Sequence, residues 1–183
     1  MNFLHRIQAI IIIDDMGNRI FCKYYTGEDT SDASKALAGL DAQKALEKSI
    51  HQHISKLKTN TYTLGSELAV VEGHSVVYMI CNDVWFIVLG DTKENEVILC
   101  NVLETLVRAL KEELDTHIIS TGLLLKEYQA ILFTVDEMID QGIILQLNAA
   151  NIAEVVAPYL VDTSSETARK TLSTVNRYFR DNL

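Results

Sequence analysis

Residues 67–99 read ELAVVEGHSVVYMICNDVWFIVLGDTKENEVIL and decide the fold of this chain. Turn residues, Gly73 and the pair Asn82-Asp83, divide the apolar part of this stretch. We therefore predict three strands joined by tight turns, over Leu68–Glu72, Ser75–Asn82 and Val84–Leu89. A helix is predicted to follow directly.

The second and third of these strands are apolar on both faces. In Ser75–Asn82 one face carries Val76, Tyr78 and Ile80, and the other face carries Val77, Met79 and Cys81. A sheet with one solvated face would alternate apolar with polar residues. We therefore expect other layers of the protein to cover both faces of the sheet.

The rest of the chain supplies the remaining elements. Two further strands, Ile7–Asp14 and Arg19–Tyr25, flank a hairpin signal at Met16-Gly17-Asn18. Apolar residues at helical spacing predict four helices, at Ala42–Lys58, Asn95–Asp115, Thr121–Asp140 and, ending before Pro158, Ala149–Ala157. The first has a narrow apolar stripe of Leu46, Ile50, Ile54 and Leu57, whereas the second and third have broad ones. The stripe of the third helix consists of Leu124, Leu125, Tyr128, Ile131, Leu132, Val135, Met138 and Ile139. This order predicts an α/β three-layer sandwich with a five-stranded, mostly antiparallel sheet, one helix on one face and two on the other.

Two segments stand apart from this domain, which we assign to residues 1–160. Thr26–Asp41 is polar and rich in small residues and is predicted to be a flexible insertion. In the tail, residues 161–183, Thr163 and Glu166 have the spacing of a capping box, and an apolar stripe follows at Ala168, Leu172, Val175 and Phe179. We predict a short amphipathic helix that docks on this domain or on a partner; disorder and membrane contact are the alternatives.

Composition excludes several classes of protein. The net charge of −9 argues against a nucleic-acid binder. The three cysteines, Cys22, Cys81 and Cys100, lie in apolar surroundings and are odd in number, which favours reduced thiols in the cytosol. The apolar run Ile7–Ile13 is short and ends in two aspartates, so it is predicted to be a buried strand rather than a signal peptide.

No arrangement of side chains in the sequence points to catalysis or to a bound cofactor. His51 and His53 point about 200° apart on a helix, so they cannot share a metal, and His53 is predicted to be a partly buried side chain. Asp136 and Asp140 share a helix face, where a cation site is the alternative to a solvated surface or a partner contact. We expect no catalytic residue, no metal and no cofactor.

Three segments together resemble the coatomer zeta subunit family, the small subunits of the COPI vesicle coat. They are Ala9–Tyr25 (AIIIIDDMGNRIFCKYY), Glu67–Leu99 and Phe133–Leu147 (FTVDEMIDQGIILQL), in the order and spacing of that family. The resemblance implies a longin-like fold with strand order 2-1-5-4-3. The chain departs from the family in the longer insertion Thr26–Asp41 and in a less acidic Gln146-Leu147-Asn148.

The same resemblance implies a non-enzymatic role and a set of partners. It implies an obligate heterodimer with the gamma coatomer subunit, assembly with the other coatomer subunits, and recruitment by an Arf-type GTPase through the coat. It also implies a cytoplasmic protein that lies peripherally on Golgi and COPI vesicle membranes and works in retrograde Golgi-to-endoplasmic-reticulum transport. Nucleic acid is not an expected partner.

Two other functions remain open from the sequence. A sigma-type small subunit of a clathrin adaptor complex shares the fold, but this chain has Tyr24-Tyr25 where sigma chains usually carry an aromatic pair with tryptophan. A free longin-type trafficking regulator is the other alternative.

One residue is singled out as a candidate for the partner interface. On a helical wheel Phe133 lies roughly 150° from the centre of the apolar stripe of its helix. It is therefore expected to point away from the sheet, either as a lone exposed aromatic or as an anchor for a partner.

Overall fold

A computed structural model describes residues 6–25, 37–57 and 65–160. The five predicted strands all form, with ends no more than two residues from the predicted ones: β1 (Ile7–Asp14), β2 (Arg19–Tyr24), β3 (Glu67–Val71), β4 (His74–Cys81) and β5 (Val84–Asp91). They build one antiparallel sheet in the order β2-β1-β5-β4-β3. The prediction of the sheet and of its strand order is confirmed.

Both faces of the sheet are covered, as the apolar pattern predicted. Along β5, the side chains of Trp85, Ile87 and Leu89 enter one core, and those of Val84, Phe86 and Val88 enter the other. The first core is closed by α1 (Leu40–Leu57), through Leu46, Ile50 and Ile54. Leu57, which we predicted in the same stripe, is exposed because it is the last residue of the helix.

The second core is closed by four helices, α2 (Glu96–Glu113), α3 (Thr121–Lys126), α4 (Tyr128–Met138) and α5 (Ala149–Leu160). A single helix over Thr121–Asp140 was wrong. The backbone leaves the helical region at Glu127, which ends α3 and precedes the first residue of α4. The turn at Glu127 divides the predicted helix into two.

A two-stranded hairpin, β6 (Ile139–Asp140) and β7 (Ile143–Ile144), follows α4 directly. Its two turn residues, Gln141 and Gly142, have φ of 48° and 82°, as a type I′ turn requires. The carbonyl of Gly142 accepts a hydrogen bond from the Ile7 N–H at 2.8 Å. This hydrogen bond joins the hairpin that follows α4 to the first residue of β1.

The last described helix is longer than predicted. We ended it at Ala157 because proline disfavours the helical conformation in the residue before it, but α5 continues through Pro158 to Leu160. The proline lies in the last turn, where its missing N–H removes only one helical hydrogen bond. The tail from residue 161 onward and residues 26–36 of the predicted insertion lie outside the described residues, and Leu40 and Asp41 belong to α1.

Candidate partner interface

The position of α3 and α4 is set by the turn between β4 and β5. The carboxylate of Asp83 in that turn accepts hydrogen bonds from the Thr121 N–H at 3.2 Å, at the first residue of α3. Ser120 caps the same helix by accepting from the Leu123 N–H at 3.3 Å. Both contacts satisfy N–H groups that a helix start leaves unpaired.

Phe133 lies on the outer side of α4, opposite the residues that enter the core. The inward side consists of Ala130, Ile131, Thr134, Val135 and Met138. Phe133 is 37% exposed, and its ring centroid lies 5.6 Å from that of Tyr159 on α5. Tyr159 is itself 64% exposed. The two helices therefore present a pair of aromatic rings to solvent.

Other large apolar side chains extend this pair into a patch. Tyr128 and Leu132 on α4 are each about as exposed as Phe133, and on α5 Val155 lies one turn before Tyr159. We call these five residues the α4–α5 patch: Tyr128, Leu132, Phe133, Val155 and Tyr159. Exposed apolar side chains on two neighbouring helices are a candidate surface for a protein–protein contact.

A polar contact borders the patch at the edge strand β2. Lys23 Nζ lies 2.6 Å from the carboxylate of Asp136 on α4, and 5.3 Å from the centroid of the Tyr25 ring. Burial raises the pKa of Tyr25, and the charges of Asp136 and Asp140 raise it further. Tyr25 is therefore neutral at physiological pH and serves as a packing surface.

The opposite face of the sheet holds a buried charge cluster. The Glu47 carboxylate on α1 is 5% exposed and accepts from Arg19 Nε at 2.9 Å, from Arg19 Nη2 at 2.7 Å and from the Tyr24 hydroxyl at 2.9 Å. Burial and the Glu47 charge raise the pKa of Tyr24, and the hydrogen bond to Glu47 raises the pKa of Arg19. All three donors are satisfied by one carboxylate, so the cluster joins α1 to β2.

The two carboxylates considered for a cation site do not share a helix. Asp136 pairs with Lys23, and Asp140 lies in β6 rather than on the same helix, because α4 ends at Met138. Among the residues that the structure describes, no group of three histidine, cysteine, aspartate or glutamate side chains could hold a metal ion.

The histidines occupy separate places. His53 is exposed, so the prediction that it is partly buried was wrong. It is His51 that packs, with its ring centroid 4.7 Å from that of Trp85, because β5 lies beneath that side of α1. His74 is the first residue of β4, is buried, and places Nδ1 2.7 Å from Gln8 Oε1. Burial lowers the pKa of His74.

All three cysteines are free thiols and half-buried. Burial raises the pKa of Cys22 and of Cys81, which makes the thiolate, the reactive form, scarcer than in an exposed cysteine. Burial outweighs the opposing charges of Arg19 at Cys22 and of Lys111 at Cys81, so neither of these two thiols is activated as a nucleophile.

The sequence missed most of the α4–α5 patch. We placed Leu125, Tyr128 and Leu132 in an inward stripe, whereas all three are exposed. Leu124, Ile131, Val135 and Met138 of the same predicted stripe are buried, so the stripe was predicted too wide on the side that carries the three exposed residues. Tyr159 lay beyond the predicted end of its helix. A signal that was available is the i,i+4 spacing of Val155 and Tyr159 on one face of α5.

Within the described ranges no helix is long and apolar enough to cross a membrane.

The clathrin adaptor complex small chain family matches residues 6–162. Human coatomer subunit zeta-1 is 34% identical over 84% of this chain and 78% of its own length. Coatomer subunit zeta-1 of Oryza sativa subsp. japonica is 32% identical, covering 91% and 87%. Saccharomyces cerevisiae coatomer subunit zeta is 30% identical, covering 84% and 78%.

A solved-structure comparison agrees on the fold. A chain from a homology model of the full-length AP-3 complex in a stretched open conformation matches with a TM-score of 0.61 and 17% identity, over 92% of this chain and 98% of that one. At this identity the likeness concerns the fold alone. The three sequence relatives are all coatomer zeta subunits, and they identify the subfamily. This chain therefore belongs to the coatomer zeta subunits of the clathrin adaptor complex small chain family.

Proposed function

We propose that this coatomer zeta subunit pairs with the gamma coatomer subunit as an obligate heterodimer and enters the coat through it. Its family consists of non-enzymatic coat subunits, so we expect the protein to act by binding its partners rather than by catalysing a reaction. The proposal extends to the other coatomer subunits, to recruitment by an Arf-type GTPase through the coat, and to a cytoplasmic, peripheral location on Golgi and COPI vesicle membranes.

The observation that carries the proposal is the exposed ring pair of Phe133 and Tyr159. Partner contacts concentrate their binding energy in a few aromatic side chains surrounded by other apolar groups. Phe133 has Leu132 beside it in sequence and Tyr159 against its ring, and an ion pair borders the patch at Lys23. We propose the α4–α5 patch as the contact with the gamma subunit and Phe133 as its anchor.

We expect Phe133→Ala to weaken binding to the gamma subunit by more than about 1 kcal/mol, roughly fivefold in Kd, since an aromatic anchor loses its packing in the complex. The measurement is a titration of the labelled gamma subunit with the purified zeta chain. Met16→Ala is the matched control, because Met16 is a large exposed apolar residue in the turn between β1 and β2. Equal affinity of Phe133→Ala and the unaltered chain would remove Phe133 from the interface.

Partner identity is tested separately from the patch. Capture of the endogenous protein from cytosol should co-purify gamma and the five other coatomer subunits. Two large adaptins and a mu chain in their place would identify a sigma-type role, and capture of the chain alone would identify a free regulator.

We also propose that residues 1–160 form the longin-like domain and that residues 161–183 add a short amphipathic helix, which docks on the domain or on the partner. The tail begins directly after α5, which carries Tyr159 of the patch. Helices of this length are marginal in water, so docking would be needed to order it. Amide hydrogen exchange, with and without the gamma subunit, should show protection over residues 169–179 in at least one state. Random-coil exchange in both states would contradict docking.

A further inference from the structure

Thr134 on α4 sits between two oxygen acceptors in the second core. Its side chain is fully buried. The hydroxyl oxygen lies 2.6 Å from the Ala130 carbonyl oxygen and 2.7 and 2.9 Å from the two carboxylate oxygens of Glu113. Glu113 is the last residue of α2, so this contact joins the end of α2 to the middle of α4.

The number of hydrogens decides how these contacts are made. A threonine hydroxyl has one hydrogen to donate, whereas a carbonyl oxygen and an ionised carboxylate only accept. With Glu113 ionised, one of the two short contacts has no hydrogen in it. With Glu113 protonated, one oxygen of the carboxylic acid donates to Thr134 and Thr134 donates to Ala130, so the contact between the two side chains and the contact with Ala130 each contain a hydrogen.

The surroundings of Glu113 favour the protonated form. Burial raises the pKa of Glu113 to about 7, a hydrogen bond donated by Thr134 opposes the rise, and the Glu112 charge adds to it. The C-terminal end of α2 also carries the negative end of the helix dipole. Among the described residues no salt bridge includes Glu113.

The charged residues of α4 and α5 are all acidic. On α4 they are Asp136, which pairs with Lys23, and Glu137. On α5, which packs against α2, the acidic residue is Glu154, and it is exposed. The acidic group whose charge raises the pKa of Glu113 is its neighbour Glu112.

We propose that Glu113 and Thr134 form a proton-dependent clamp between α2 and α4, closed when Glu113 holds a proton that it donates to Thr134. The clamp is independent of the partner proposed for the α4–α5 patch. A carboxyl with a raised pKa in the folded protein stabilises the fold fully below its unfolded pKa, 4.5, and this stabilisation is lost as the pH rises through about 7. The clamp therefore opens across the neutral range.

The first test is a carbon-13 NMR titration of the Glu113 side-chain carboxyl in the intact chain. We expect a midpoint near 7, and a midpoint near the ordinary value of 4.5 would overturn the proposal. Thr134→Val then distinguishes the direction of the hydrogen bond. If Glu113 donates to Thr134, the pKa of Glu113 falls when the hydroxyl is removed; if Thr134 donates to an ionised Glu113, the pKa rises.

Glu113→Gln gives the second test, because glutamine keeps a donor toward Thr134 and cannot lose a proton. We expect the urea midpoint of the unaltered chain to fall relative to that of Glu113→Gln as the pH is raised from 5.5 to 8, because the remaining titratable groups, His74 among them, are common to both chains. Glu154→Gln is the control and should keep the fall, since Glu154 is exposed. The same pH dependence in Glu113→Gln and in the unaltered chain would overturn the proposal, and the NMR titration decides it if Glu113→Gln does not fold.

Discussion

Replacing Arg19 by alanine is expected to reduce the free energy of unfolding by about 3–5 kcal/mol. The substitution leaves the Glu47 carboxylate, which is 5% exposed, without its two guanidinium hydrogen bonds at 2.7 and 2.9 Å. A single hydroxyl, that of Tyr24, then remains to compensate a buried charge. The total stability of a domain is about 5–15 kcal/mol, so this loss is a large fraction of it. Urea unfolding at pH 7 measures it.

The control for Arg19→Ala lies on the same strand. Lys23→Ala breaks the ion pair with Asp136, whose side chain is 64% exposed, and is expected to cost less than about 1 kcal/mol because water screens the pair. Joint replacement of Arg19 and Glu47 by methionine removes both charges and should recover most of the loss. If Arg19→Ala costs no more than Lys23→Ala, the Glu47 cluster does not stabilise the fold in the way described.

Gly142→Ala is expected to cost about 3 kcal/mol or more, for two reasons that act together. Gly142 has φ of 82°, where an L side chain is strained by about 1–2 kcal/mol. An added Cβ would also lie 2.7 Å from the backbone oxygen of Ile7 and 3.2 Å from Cβ of Tyr25, so the β6–β7 hairpin would have to move away from β1. Thermal or urea unfolding measures the loss.

Gly73 separates the two contributions. It has φ of 80°, and an added Cβ there meets nothing within 4 Å. Gly73→Ala should therefore cost only the conformational part, about 1–2 kcal/mol. Equal losses at the two glycines would mean that the contact between the hairpin and β1 contributes little to stability.

The sequence by itself predicted the sheet, its two covered faces and most of its helices. The reason is local: whether a strand is buried on one face or on both can be read from successive residues such as Trp85, Phe86 and Ile87. Once both faces must be covered, helices on each side follow. The sequence also identified the family, because three segments stand in the order and spacing that the family has. These segments are Ala9–Tyr25, Glu67–Leu99 and Phe133–Leu147.

The tertiary structure was needed to find where helices break or end, because these boundaries depend on the conformation of a single residue. The break at Glu127 hardly alters the spacing of apolar residues, so the sequence predicted a single helix. The extension of α5 past Pro158 depends on the proline lying in a last turn, which the sequence pattern does not reveal.

Only the tertiary structure decided which distant residues meet. Phe133 contacts Tyr159, Arg19 pairs with Glu47 across 28 positions, and Thr134 contacts Glu113 across 21. None of these pairs leaves a periodic signal, since each member is an ordinary residue of its own helix or strand. Sequence periodicity reports which side of an element is buried, whereas the pairing of two elements is set by how their layers pack, and that packing brings together the patch and the clamp.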